Sequence, residues 1–277
     1  MSDFSSIASF YREKSLVQAS AGSKLTEMLA IPPDADILDA GCGAGNLTAD
    51  LRDLTSGSVV GIDPSAGMIR QSREAYPGSE IEFRVMGAEE LDYDNNFDIL
   101  FCSSAFQWFR QPEAVLTRFH RALRPGGRVG MQAPATSNYC PNFIRAIDHC
   151  RHLQQLDTVF AGFRSPWFFL ETADAYGELF SQAGFRVLHC RIEAEHGEYT
   201  VDQAVGIFRS GAAAGFLNQA YYAAPLPDDF AEQVLHGIMA SFEEQAAPQG
   251  VVHLLFHRVF VVAEKPAVPG ETPHGLA

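Results

Sequence analysis

The run Ile37-Leu38-Asp39-Ala40-Gly41-Cys42-Gly43-Ala44-Gly45 constrains this chain more than any other. A short apolar strand, Asp36 to Ala40, leads into three glycines at alternate positions, and Leu47 to Leu54 resumes as helix. Gly41 and Gly43 let the backbone turn sharply and approach a ligand closely, where any Cβ would obstruct. Free amides at the following helix start favour a polar or anionic group there. Such a loop does not by itself name the ligand, because many nucleotide binders carry one.

The alternation continues along the chain. Ser58 to Ile62, Ile81 to Val85, Phe97 to Cys102 and Arg128 to Gln132 read as strands, with helices over Ser65 to Ala75 and Pro112 to Leu123. Short apolar strands separated by helices predict a parallel sheet covered on both faces, with every strand's carboxyl end on one edge. Before the glycine run, Ser15 to Leu29 has helical spacing and Ile31-Pro32-Pro33 ends it. After Pro134 the rhythm changes. Residues 136–166 read as a helical insertion, 171–183, 201–217 and 228–245 as helices, and 185–192 and 251–263 as strands. The expected layout is an N-terminal helical segment over the active site (1–34), a cofactor-binding core (35–135), the rest of the sheet with helical lid insertions (136–265) and a Pro- and Gly-rich flexible tail (266–277).

Composition narrows the partners. The net charge of -14 opposes phosphate backbones and anionic lipid, so neither nucleic acid nor membrane is expected. No run of about 18 apolar residues occurs and the N-terminus lacks a secretory pattern. Five scattered cysteines without a CxxC pair read as reduced thiols, so a cytoplasmic protein is expected.

Spacing sharpens the glycine signal. The glycines alternate as GxGxG rather than GxGxxG, and Asp63 closes the second strand 18 residues after Gly45. A carboxylate there can accept two ribose hydroxyls, a geometry shared by nicotinamide enzymes and methyltransferases. The ordered set DAGCGAGNLT, VVGIDPSAGMI, GAEELDYDNNFDIL and LRPGG, over roughly 35–132, resembles the class I S-adenosylmethionine-dependent methyltransferases. The resemblance implies a Rossmann-like, seven-stranded, mostly parallel sheet with helices on both faces and a helical lid, and S-adenosyl-L-methionine as cofactor. It implies that Asp39 with the Gly41–Gly43 backbone holds the methionine end, and Asp63 the ribose. Met68 would pack near the adenine or serve only as helix core. Gly87 stands where the family often has an aspartate, so the adenine contact falls to the Ala88 backbone or to Glu89. Ser103 would face the methionine moiety or cap the next turn.

The acceptor side should follow the fourth strand, where Gln107 and Trp108 offer an amide and an indole that together could orient a carboxylate. Trp108 could equally fill the core beneath the lid. A Gln-Trp here resembles the carboxylate-esterifying subset, which includes the trans-aconitate and malonyl-carrier-protein methyltransferases, and Tyr11 and Gln18 look similar to substrate-binding positions of that subset. The resemblance implies O-methylation of a small carboxylic acid by in-line transfer, with Gln107 and Trp108 as the catalytic pair and an acyl-carrier protein as a candidate partner. Arg145, Arg164, Arg209 and Arg258 are candidate anion partners that also suit a surface or helix end. A phenol, amine or carbon acceptor would want a base, for which His149, His152, His253 and His257 are available; their spacing suggests no metal. Pro166 to Leu170 could wall a pocket or pin the lid. A nicotinamide oxidoreductase is the rival on the same sheet, although it would want GxGxxG. The oligomeric state does not follow from the sequence.

Overall fold

The apolar run at 37–40 becomes β1 (Ile37–Ala40), buried at every position because it pairs in parallel with a neighbour on each side. A computed structural model describes residues 16–153 and 156–267. After α1 (Leu16–Leu29) and β1 come α2 (Asn46–Arg52), β2 (Val59–Asp63), α3 (Ala66–Ala75), β3 (Ile81–Val85), β4 (Phe97–Ser103), α4 (Pro112–Ala122) and β5 (Leu123–Pro134). The second half adds α5 (Pro141–Arg151), α6 (Asp157–Ala161), α7 (Ala173–Gln182), β6 (Arg186–Thr200), α8 (Val201–Ser210), α9 (Ala213–Phe216), α10 (Phe230–Gln245) and β7 (Val251–Glu264).

The seven strands form one sheet in the order β3-β2-β1-β4-β5-β7-β6. β7 runs antiparallel to both of its neighbours, and the other strands are parallel. This is the expected Rossmann-like architecture. Alternate residues feed two cores. Leu38, Leu100, Met131 and Val261 pack with Phe119 and Phe180 of α4 and α7. Ile37, Phe101, Phe260 and Val262 pack with Leu25 and Leu29 of α1 and Leu51 of α2.

The largest departure from the sequence reading is the far end of the sheet. The strand expected at 185–192 continues to Thr200, because β7 supplies an unbroken antiparallel ladder from Ile192↔Val259 to Thr200↔Val251. This two-stranded extension is the platform for the lid. Val252, Leu254 and Phe256 of β7 join Phe143 of α5, Phe208 of α8 and Val234, Ile238 and Phe242 of α10 in a core of their own. The helix expected over 201–217 breaks at Gly211 into α8 and α9, where Gly215 lies so close to Trp167 that a Cβ would come within 2.2 Å of the indole.

No helix among the described residues is long and apolar enough to cross a membrane. Of the N-terminal expectations, Tyr11 lies outside the described residues and Gln18 falls in the first turn of α1. The expected tail lies outside the described residues beyond 267.

Candidate functional site

A cavity of about 800 Å³ opens at the carboxyl edge of the parallel strands, between the sheet and the lid. That is roomy for a small-molecule site, which usually measures about 300–1,000 Å³. One half is built from the ends of β1 to β4. Gly41, Gly43 and Gly45 all adopt positive φ (84°, 54° and 86°), the left-handed turn that glycine allows. The Gly41 and Cys42 amides both donate to Ile62 O, at 2.8 and 2.9 Å, tying the loop to the end of β2. A Cβ on Gly41 would sit 2.3 Å from that of Ala105, so the loop's close approach to the segment after β4 depends on glycine.

Asp63 closes β2 and lines this half of the cavity. Its Oδ2 accepts from the Gly43 amide at 3.1 Å and its Oδ1 from the Ser65 amide at 2.8 Å. Burial pushes its pKa up to about 6, against these two amides, which lower it. Each oxygen thus spends one acceptor site on the protein and keeps a second for a ligand. Met68, Ala88, Glu89 and Ser103 also line this half. Ala88 and Glu89 stand on a single 3₁₀ turn, Ala88–Glu90, whose Glu90 carboxylate accepts from the Gly87 amide at 2.7 Å. A pair of ribose-type hydroxyls fits the remaining capacity of Asp63, and a flat heterocycle fits the apolar space beside Met68 and Ala88.

Asp39 is placed differently. It is 2% exposed, accepts from Thr48 Oγ1 at 2.7 Å and is not among the cavity-lining residues. Burial, with Asp63 adding to it, raises its pKa to about 7. In this structure it ties β1 to α2 behind the glycine turn.

The other half of the cavity belongs to the lid. Gln107 and Trp108 form a 3₁₀ turn after β4, and the strap 164–169 crosses them, with the Phe168 amide donating to Gln107 O at 2.8 Å and the Arg164 amide to Tyr221 O at 2.8 Å. Trp108 is half-buried and meets Trp167 edge-on at 5.6 Å, so it is a wall of the cavity. The aromatic run of the strap does both things considered for it. Trp167 lines the cavity and also packs on Phe216 of the lid at 4.9 Å. Gln107 is 7% exposed; its amide nitrogen donates to Ser104 O at 2.8 Å, and its Oε1 is buried without a hydrogen-bond partner.

Of the four candidate arginines, Arg164 and Arg258 line the cavity, and Arg145 and Arg209 do not. Arg258 is no surface residue. It is 4% exposed, on β7 opposite Pro134. Its Nη1 donates to Gln132 Oε1 at 2.7 Å, and its Nε faces Glu195 Oε2 of β6 at 3.2 Å. Gln132 in turn donates to the Ser103 and Ser104 hydroxyls at 2.7 and 2.8 Å, linking the guanidinium to the edge where the two halves meet. Ser104 itself, a lining residue, adopts a positive φ of 56°, a costly conformation for a residue with a Cβ. Sequence reasoning missed Gln132, Glu195 and Tyr139. Tyr139 is 7% exposed with its hydroxyl unpartnered, and burial pushes its pKa far up.

None of the four histidines lines the cavity. His149 pairs with Glu244 at 3.7 Å and His253 with Glu198 at 3.5 Å. No group of three His, Cys, Asp or Glu able to hold a metal occurs among the described residues.

Residues 38–131 match the family described as a methyltransferase domain. A malonyl-[acyl-carrier protein] O-methyltransferase of Acetivibrio thermocellus is 31% identical over 127 residues, 45% of each chain, so the match spans less than half of that relative's length. A trans-aconitate 2-methyltransferase of Rhodopseudomonas palustris is 29% identical over 240 residues, covering 83% of this chain and 87% of that one. In three dimensions, Haemonchus contortus phosphoethanolamine N-methyltransferase 2 in complex with S-adenosyl-L-methionine superposes with a TM-score of 0.52 at 17% identity, over 89% of this chain and 52% of that one.

Proposed function

From the premise that this chain stands with the class I S-adenosylmethionine-dependent methyltransferases, with S-adenosylmethionine as its cofactor, we propose that it methylates the carboxylate of a small organic acid. One observation carries the choice of acceptor. The lid half of the cavity holds a buried guanidinium, Arg258, and among its described lining residues no histidine, lysine, aspartate or glutamate that could serve as a base. Tyr139, the buried hydroxyl there, is held protonated by burial and acts as a donor. A site that offers a cation and no base suits a nucleophile that arrives already ionised, as a carboxylate does at pH 7.

The cofactor supplies an electrophilic methyl group on a sulfonium. Asp63 would bind and orient the ribose, the Gly41–Gly43 backbone would admit the methionine end, and Met68, Ala88 and Glu89 would border the adenine. Arg258, steadied by Gln132 and Glu195, draws the acid's carboxylate into the lid half. Trp108 and Gln107 hold its body in line, and the strap 164–169 excludes water from both charges. The acid's oxygen would take that methyl group as the thioether leaves neutral, so no proton would have to be removed.

The acceptor is read as a free small molecule. An acid borne on a carrier protein, the acceptor in the name of the Acetivibrio relative, belongs in the same assay panel. A cytoplasmic setting is part of this reading, since all five cysteines are unpaired thiols. The test is transfer of radiolabelled methyl to a panel of acids, phenols and amines, followed by mild alkali. Methyl esters release volatile methanol, whereas methyl ethers and amines do not. Labelled product stable to alkali from phenols or amines only would refute the reading.

A further inference from the structure

We propose that the lid half of the cavity selects acids bearing a single carboxylate on a flat, apolar body, and that Glu195, outside the lining residues, sets this limit by sharing the charge of Arg258. The inference rests on the carboxylate reading above and narrows it.

Charge sets the first limit. Three arginines line the cavity, but Arg110 and Arg164 are exposed and only Arg258 is buried. Its partner Glu195, about 24% exposed on the neighbouring strand, lies 3.2 Å away and answers part of the guanidinium's charge before any ligand enters. One incoming carboxylate can be held by the guanidinium together with the Tyr139 hydroxyl. A second, taken to the same depth, would be desolvated with no other buried arginine of the lining to answer it, and buried charge without compensation is strongly disfavoured.

The remaining polar atoms point the same way. Gln107 keeps its amide nitrogen on Ser104 O, which leaves Oε1 as the buried, unpartnered atom. An acceptor oxygen repels a second carboxylate but receives a neutral hydroxyl or amide N–H. Aromatic rings supply much of the remaining lining. Trp108 meets Trp167 edge-on at 5.6 Å, Tyr139 stacks on Phe169 at 5.4 Å, and Phe143 packs against Phe256 at 5.5 Å. Such walls favour a planar apolar body, which gains from both area burial and ring contact. Trans-aconitate, the acceptor in the name of one relative, carries three carboxylates and no such body.

The experiment uses the full chain with S-adenosyl-[methyl-³H]methionine, scoring alkali-labile product from 2-naphthoate and 4-phenylbutyrate against tricarballylate and trans-aconitate. The monoacids should exceed the polyacids in kcat/KM by about thirtyfold or more, the lower end of what an unpaired buried charge costs. Glu195→Gln should raise kcat/KM for the polyacids by about tenfold relative to the monoacids, with unchanged affinity for S-adenosylhomocysteine. The wild-type ranking decides the matter even where the variant fails to fold. Preference for polyacids, or an equal effect of Glu195→Gln on both classes, overturns the selection and leaves the carboxylate reading standing. Absence of alkali-labile product from every acid overturns both.

Discussion

Replacing Asp63 with alanine tests the cofactor half of the site most directly. Its two oxygens hold the Gly43 and Ser65 amides at 3.1 and 2.8 Å, and each has a further acceptor site toward the cavity. Loss of hydrogen bonds from a ligand to a charged group costs about 1.5–3 kcal/mol. At 1.4 kcal/mol per decade, affinity for S-adenosylhomocysteine should fall by about 10- to 150-fold. The effect on folding should be much smaller, because two terms oppose. The substitution orphans two backbone amides, but it also removes a carboxyl whose pKa stands at about 6 instead of 3.8. That displacement corresponds to about 3 kcal/mol of unfavourable ionisation at pH 8. Calorimetric titration at pH 7.5 beside a thermal melt separates the two. The wild type adds an internal check. Binding that requires the ionised carboxylate is flat above pH 7 and weakens about tenfold per pH unit below 6, and the variant should lose that dependence. A folded Asp63→Ala protein that binds within twofold of wild type at pH 7.5 would refute the assignment.

Four other substitutions probe the remaining parts. Gly41→Ala places a Cβ at φ 84° and 2.3 Å from that of Ala105; it should destabilise by about 2–5 kcal/mol in denaturant unfolding. Asp39 has a folded pKa of about 7 against 3.8 for an ordinary aspartate, so its contribution to stability is complete below about pH 4 and lost as pH rises through 7. Asp39→Asn, which keeps the acceptor for Thr48, should therefore gain stability relative to wild type between pH 5 and pH 8, by as much as about 4 kcal/mol in paired melts. Arg258→Gln should reduce kcat/KM for acid acceptors by about a hundredfold while S-adenosylhomocysteine binds as before. Trp108→Ala should raise the acceptor KM by about tenfold, the scale of a lost aromatic wall, with cofactor affinity within twofold.

Much of the cofactor half is legible because it is local. The glycine loop, Asp63 and the 3₁₀ turn at Ala88 each follow directly on a strand that its own apolar run announces, and parallel connections bring all those ends to one edge. Asp39 shows the limit of that logic. Its place in the run is plain, but only α2, folded against β1, turns its carboxylate to Thr48 and away from the cavity lining. Arg258 and Gln132 do leave a trace in the sequence. Each is a polar residue inside a run otherwise apolar enough for burial on both faces, and such a residue needs a buried partner.

The amino-acid sequence alone determined the alternation of strand and helix, the glycine turn and the acidic close of β2, because each depends on the backbone preferences and periodicity of neighbouring residues. Only the tertiary structure decided the acceptor side. The continuation of β6 to Thr200, the strap over Gln107 and the meeting of Arg258 with Glu195 and Gln132 join residues far apart in the chain. Their energies come from ladder pairing and the pairing of buried charge, which exist only once β7 has inserted between β5 and β6.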